Sequence, residues 1–397
     1  MKLLTVEEAR RRMLGAIQAL PSQEVMLEAA LGRFLAQAVV AERDQPPFTA
    51  SAMDGWAVRA ADGPGRLRII GESAAGHGFS GEIGPGEAVR IFTGAAVPPG
   101  ADAVVIQEDA TRQGDYVTIP LVSDPRYLRP AGQDFRLGDR LLAPGDRLDP
   151  WRLALAAAAG RPRLAVARRP RVTILATGDE VVAPGGAPGA FQIFDSGSTA
   201  LSALIRTWGG EPITLAAASD GLAEIAAAVT GIACDLIVTL GGASVGDHDL
   251  VKPALARLGL ELAVESVAVR PGKPTWFGVL ADGRRVLGLP GNPASALVCA
   301  ELFLRPILFA LQGGDGEPRL SFARAARPLG ANGGREHWMR ARLESGPDGS
   351  ITADPLSDQD SALVTIFAQA DALIRRSVEA APIARGEPIE IWPLARL

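Results

Sequence analysis

Four glycine-bearing segments carry residue types suited to holding a phosphate group, and each directly follows an apolar run. They are Thr177-Gly178-Asp179-Glu180 after 172–176; Gly241-Gly242-Ala243-Ser244-Val245-Gly246-Asp247-His248-Asp249 after 236–240; Arg270-Pro271-Gly272-Lys273-Pro274 after 266–269; and Pro290-Gly291-Asn292-Pro293-Ala294-Ser295 after 285–289. Backbone N–H groups of Gly241, Gly242, Ser244 and Gly246 are unobstructed by large side chains, and the helix expected after them adds the positive end of its dipole. Arg270 and Lys273 add full charge. Asn292 is placed to cap a helix opening at Pro293, with Ser295 as a further donor, which gives a second anion-receptive helix start. Glu180, Asp195, Asp247 and Asp249 would repel a phosphate unless a hard cation such as Mg²⁺ lies between them. No GxxxxGK[ST] occurs, nor a strand–GxGxxG–helix unit, so neither common nucleotide motif holds the ligand.

The elements that must position these loops alternate. Strands are expected at 172–176, 212–215, 236–240 and 266–269, and helices at 198–208, 221–229 and 249–258. A hairpin follows at 275–280 and 285–289, then a long buried helix at 294–311. This rhythm predicts a mostly parallel sheet covered on both faces, with the loops converging on one pocket at the carboxyl edge of the strands. Flanking regions read differently. Thr5 and Glu8 form a capping pair for a helix over 5–20. Short β-like runs fill 67–70, 88–92, 103–107 and 116–119, and a helix is expected at 151–159. Strands at 336–343, 350–355 and 388–391 build a β-rich tail. The expected division is a discontinuous N-terminal linker domain (1–43 and 135–168), a small irregular β domain (44–134), an α/β domain (169–314) and a C-terminal barrel-like β domain (315–397).

One loop outside the α/β region stands out. Pro46-Pro47-Phe48-Thr49-Ala50-Ser51-Ala52-Met53-Asp54-Gly55-Trp56-Ala57 carries large apolar residues around an acid, as a rigid loop presenting Asp54 to a pocket would. Thr93 in Ile91-Phe92-Thr93-Gly94-Ala95, and Asp134 after Arg129-Pro130-Ala131-Gly132-Gln133, are turn residues with one useful side chain each. His77, His248 and His337 show no metal-ligand spacing, and only His248 is given a supporting role.

Composition narrows the class. Among 397 residues, Gly 45 and Pro 30 exclude a helical bundle, and a net charge of −5 with no basic stripe argues against nucleic acid. Cys234 and Cys299 read as buried free thiols. The N-terminus has acids where a signal peptide needs its apolar core, and no run approaches 18 apolar residues, so a soluble, cytoplasmic protein without a membrane segment is expected. Lysine is scarce: Lys2, Lys252 and Lys273 are the only three, so Lys273 beside a phosphate is conspicuous.

Taken in order along the chain, these motifs resemble the MoeA and gephyrin E-domain family, the molybdopterin molybdenumtransferases. The resemblance runs from Ser51-Ala52-Met53-Asp54-Gly55 through Asp195-Ser196 and the four glycine loops to the β-rich tail. It implies a cytoplasmic homodimer that inserts molybdenum from molybdate into adenylylated molybdopterin with release of AMP, in a Mg²⁺-dependent reaction. It also implies contacts with a molybdopterin adenylyltransferase and molybdoenzyme maturation proteins. On this reading Asp54, Glu180, Asp249 and Asp134 are catalytic, and Glu180, Asp247 and Asp249 hold the metal. Thr93, Asp195, Ser196, Gly241, Gly242, Ser244, Gly246, Arg270, Lys273, Pro290, Asn292, Pro293 and Ser295 bind the substrate. Asp54 and Asp134 come from the partner subunit. The glycine loops alone also fit a molybdopterin adenylyltransferase or a CinA-like pyrophosphatase, and a non-catalytic scaffold is the third alternative. Leu240 stands where the family usually has Ser or Thr, Gly197 where Asn is common, Gln133 where Glu is usual, and Ser266 near a position that can be basic. These departures leave the choice between molybdate and tungstate open.

Overall fold

The computed structural model describes residues 3–122, 126–215, 221–241, 250–317 and 320–394. Its centre is a six-stranded sheet in the order Glu211–Thr214, Arg171–Ala176, Leu236–Leu240, Arg285–Leu289, Trp276–Val279, Glu261–Val264. The first four run parallel, and Trp276–Val279 is antiparallel to both of its neighbours. The inner strands are largely apolar because alternate residues enter different cores. Val172, Ile174, Val238 and Leu287 face one, and Leu175, Ile237 and Val286 face the other. Helices Val6–Gly15, Ser196–Thr207 and the long helix from Pro293 pack on the first face, and Leu222–Val229 and Val251–Ala256 on the second.

The helix from Pro293 to Leu311 is 19 residues long and apolar enough, by length and composition, to cross a membrane, but 83% of its apolar window is buried within the fold. It widens to π geometry over Ala300–Leu304, just before Pro306, which has no N–H to donate to the turn behind it. The first helix is shorter than expected. After Gly15 the chain tightens to bonds from Ala16 N to Met13 O and Ile17 N to Leu14 O, and Leu20 N then reaches Leu311 O. Ile17 and Leu20 still pack on the core, without a helix to carry them.

The 266–269 run does not join the central sheet, contrary to its expected place. Glu261–Val264 takes the edge position, and Val269–Arg270 pairs in parallel with Glu336 and His337 instead. The tail closes into a barrel: Glu336–Ser345, Ile351–Pro355, Ser321–Ala325, Pro388–Pro393 and Ala372–Arg376 pair in turn, and the last pairs back with the first. Closure leaves no free edge among these five strands. Trp338, Leu373 and Trp392 join the barrel to the central core.

A second six-stranded sheet, in the order Ala103–Ile106, Gly55–Val58, Glu87–Ile91, Gly65–Ser73, Tyr116–Ile119, Thr111–Gln113, has its own apolar clusters on both faces. Between the two sheets lies a smaller core containing Leu35, Val39, Phe135, Leu148, Leu164 and Val166, framed by Ser22–Met26 against Arg163–Ala167 and by helix Pro150–Ala158.

Candidate functional site

Ala176, Leu240 and Leu289 are in register, so three of the glycine loops start at one level of the sheet. Between the first two strands the chain order reverses, which makes their carboxyl ends the switch point where α/β sheets bind ligands. Thr177 N and Oγ1 both donate to Leu240 O, at 3.0 and 3.3 Å. Gly241 adopts φ +85°, and a Cβ there would stand 2.8 Å from the Thr177 carbonyl. A Cβ on Gly291 would lie 3.3 Å from Gly241 Cα. The Thr177, Gly241 and Pro290 loops are therefore in direct contact. Gly242, Ser244, Gly246, Asp247, His248 and Asp249 lie outside the described residues, as does the wall they contribute to the expected pocket.

The Arg270–Pro274 loop reaches the same edge by another route, leading from the barrel ladder into the start of the antiparallel strand Trp276–Val279. Gly272 has φ +114°, and a Cβ there would overlap Cys299 Sγ on the Pro293 helix. Thr275 Oγ1 donates to Gly272 O at 2.8 Å and contacts Sγ at 3.1 Å. Burial pushes the Cys299 thiol up to about 12, so it is a protonated packing group. Lys273 is exposed. Arg270 sits in the ladder beside His337, so its side chain leaves on the barrel face of that row.

Glu180 is exposed, and none of the described hydrogen bonds or ion pairs uses its carboxylate. Among the described residues no cluster of three or more His, Cys, Asp or Glu is arranged to hold a metal. Asp195 caps helix Ser196–Thr207, its Oδ1 accepting from Ser198 N at 2.8 Å. The expected second anion-receptive helix start is corrected by the structure. Asn292 makes no side-chain cap; its Nδ2 donates to Ser361 Oγ at 2.9 Å, and the Ser361 carbonyl takes the Ala294 N–H at 3.0 Å. A barrel loop thus occupies part of that helix start. Ser295 is buried behind it, and Pro290 and Pro293 shape the turn.

Arg340 and Ser361, neither of them singled out in the sequence, lie at this junction. Arg340 is fully buried, gives Nη2 to Asp360 O at 2.9 Å, and has Nε and Nη1 without partners, next in the chain to the Ser361 contact. In the alternating run Glu336–Ser345 it reads as an outward polar residue. Only the barrel's docking against the core buries it.

Two of the departures are one feature. A Cβ on Gly197 would come within 3.1 Å of Leu240 Cδ1, so the larger side chain at 240 fills the space a side chain at 197 would need. Ser266 is not at the edge; its carbonyl accepts from Leu4 N at 3.5 Å, under the N-terminal segment. Gln133 is exposed in a turn closed by its N–H to Pro130 O.

In the other sheet, Asp54 Oδ1 accepts from Thr93 N at 2.8 Å and Thr93 Oγ1 at 2.7 Å. These two bonds, with Arg90 nearby, hold the carboxyl below the usual aspartate range. Gly55 is needed because a Cβ would overlap the Val105 carbonyl of the neighbouring strand. Ser51 Oγ ties back to Met53 O at 2.6 Å, and Ala52 N donates to Tyr127 O. Asp134 hangs from the adjoining loop through its N–H to Gln45 O. Asp54, Thr93 and Asp134 are thereby gathered on one set of linked loops. None of the described hydrogen bonds joins those loops to the central sheet edge.

A parallel sheet with contiguous loops at its switch point defines the class: residues 173–310 match the family described as "Probable molybdopterin binding domain". Residues 4–160 match "MoeA N-terminal region (domain I and II)" and 323–394 match "MoeA C-terminal region (domain IV)". The molybdopterin molybdenumtransferase of Haemophilus influenzae is 33% identical, with 100% of each chain covered, and that of Nostoc sp. is 35% identical over 85% of this chain and 82% of that one. The crystal structure of a molybdopterin biosynthesis MoeA protein from Pyrococcus horikosii superimposes with a TM-score of 0.82 at 32% identity, covering 99% of both chains. The chain belongs to the MoeA family of molybdopterin molybdenumtransferases, which act in molybdenum cofactor biosynthesis.

Proposed function

We propose that this protein transfers molybdenum from molybdate to adenylylated molybdopterin with release of AMP, in the cytoplasm, as a homodimer whose site joins the sheet edge of one subunit to the Asp54 loop of the other. The observation that carries this reading is the division of the candidate residues into two preorganised halves. One half, Gly241 and Gly291 with Lys273, offers backbone and ammonium donors to a pyrophosphate, and Thr177 braces it through its bonds to Leu240 O. The other presents an ionised Asp54 fixed by Thr93, and no described hydrogen bond links the two halves within one chain.

Asp54 is a weak base because its carboxyl is held low. Its suited task is to orient a reacting group, not to take a proton from it. Lys273 neutralises phosphate oxygens, and Ser295 and Asn292 shape the wall behind them. Glu180, with its free hard oxygens, fits a share of a Mg²⁺ site together with Asp247 and Asp249, and Mg²⁺ bound there would neutralise pyrophosphate charge. Contacts with an adenylyltransferase that supplies the substrate, and with proteins that mature molybdoenzymes, belong to the same reading.

The test is to incubate purified protein with adenylylated molybdopterin and molybdate, and separately with molybdopterin and ATP. AMP release dependent on molybdate and the pre-adenylylated pterin is expected. Direct adenylylation from ATP would overturn the reading in favour of an adenylyltransferase, and failure to bind either pterin would favour a scaffold.

A further inference from the structure

The barrel has a basic mouth beside the Val269–Arg270 ladder. Val269–Arg270, Glu336–Ser345 and Ala372–Arg376 are adjacent, and their register sets Arg270, His337 and Arg376 side by side in one row. In-register neighbours share a face of a sheet. Along the middle strand, His337, Met339 and Ala341 face the barrel side, where Met339 and Ala341 join its apolar interior, and Trp338 turns the other way into the central core. Arg340, in phase with Trp338, belongs to that opposite face. The row of Arg270, His337 and Arg376 is therefore separated by the sheet from the Arg340–Asp360–Ser361 junction.

A cavity of about 330 Å³ opens at this row. Its cationic lining is Arg327 and Arg376, its polar lining includes His337, Asn332, Ser357 and Gln359, and no carboxylate lines it. Arg376 is only 2% exposed. Its Nη2 is fixed by the Gly330 and Ala381 carbonyls at 2.9 and 2.6 Å, and its Nη1 has no partner. Arg327 is itself paired, its Nε lying 2.8 Å from Asp354. Every charged neighbour acting on His337 is an arginine: Arg270, Arg340, Arg335 and Arg376. A buried guanidinium with one amino group unpartnered and no carboxylate in the cavity lining has its charge unpaired, and an oxyanion supplies what it lacks.

We propose that the barrel mouth is a second anion site, distinct from the sheet edge, that takes a dianionic tetrahedral group: a free oxyanion or the phosphate of a small phosphomonoester. Arg376 supplies the unpaired charge, Arg327, oriented by Asp354, adds a second guanidinium, and Asn332, Ser357 and Gln359 shape the cavity. Because Arg270 shares the row and opens the loop that carries Lys273, an anion held here would steady that loop.

The test is calorimetric titration of the full-length protein with inorganic phosphate, molybdate and phenyl phosphate, repeated on Arg327→Gln, Arg376→Gln and Lys273→Ala. Two classes of site are expected. Each barrel variant should weaken one class about tenfold and leave the other intact, while Lys273→Ala should do the reverse. Arg327→Gln guards against misfolding, since that side chain is half exposed and anchors no loop carbonyl. Stronger binding of phenyl phosphate than of inorganic phosphate assigns the site to a phosphomonoester, and equal binding assigns it to free oxyanions. A single class abolished by Lys273→Ala and untouched by both barrel variants would overturn the proposal. Because the readout is binding, it stands or falls apart from the transfer activity.

Discussion

At the sheet edge, Thr177, Gly241 and Gly291 are held by strand ends that are buried on both faces and in register, with Thr177 spending its N–H and hydroxyl on Leu240 O to brace the glycine loops beside it. The Asp54 loop is built the other way. Its strand is short, and its acid is set by the N–H and hydroxyl of Thr93 in the neighbouring loop, with Arg90 nearby and Gly55 pressed on the Val105 carbonyl. The first half is a binding surface made by topology, and the second is a single group made by local hydrogen bonding. Changes at the edge should act through position, and changes in the Asp54 loop through one contact.

The largest effects test whether the halves meet across a dimer. Asp54→Ala and Lys273→Ala should each lower kcat/KM by about 10³-fold. Mixing the two variants as subunits that exchange should restore about a quarter of wild-type activity, because a hybrid dimer contains one intact site. If Asp54 served the edge of its own chain, mixing would restore nothing. Asp54→Asn keeps the shape but not the charge, and should fall with Asp54→Ala if the carboxylate is what matters.

The edge should also respond to acid through the barrel that backs it. Burial, with Arg270, Arg340, Arg335 and Arg376 around it, lowers His337 from its ordinary value of 6.5 to about 4. A depressed pKa contributes stability that is full above pH 6.5 and is lost as pH falls through 4. The loss should approach about 3 kcal/mol across that window. Denaturant midpoints measured from pH 7 to 4 should show this slope in the wild type and a shallower one in His337→Gln.

Gly55→Ala should cost about 2 kcal/mol of stability in thermal or urea melts, confined to the Asp54 sheet, because the new Cβ must push the Val105 strand away. The smallest effect refines the edge. Gly197→Asn alone should destabilise through its clash with Leu240, and adding Leu240→Thr should recover it, with a coupling energy of about 1 kcal/mol in a double-mutant cycle. Additive changes would mean that the two positions are independent.

The legible parts of the fold were those where burial on two faces leaves a continuous apolar run. The strands at 171, 236 and 285 and the glycine loops behind them could be read directly. The run at 266–269 has the same composition, yet its partner is a barrel strand over 60 residues later, and no local pattern distinguishes that pairing from a place in the central sheet. The Asn292 cap failed for a related reason, since Ser361 arrives from the barrel to take the N–H that Asn292 would have satisfied. Arg340 was invisible because its burial is created by docking between modules. The Asp54 loop stands out in the sequence because Phe48, Met53 and Trp56 are out of place in a solvated loop, although the bonds from Thr93 that fix its carboxylate are visible only in three dimensions.

Val269–Arg270 belongs to the barrel ladder and Trp276 opens a central strand, so five residues, 271–275, are all that connect the two. A chain of that length reaches about 18 Å at full stretch, and Gly272 is already pinned against Cys299 near its middle. Any shift of the barrel against the sheet passes through this turn, which is closed by the Thr275 N–H to Gly272 O, and so moves Lys273. The loop behaves as a strain gauge soldered across a seam, and the alignment of the two modules can be read in where that one charge points.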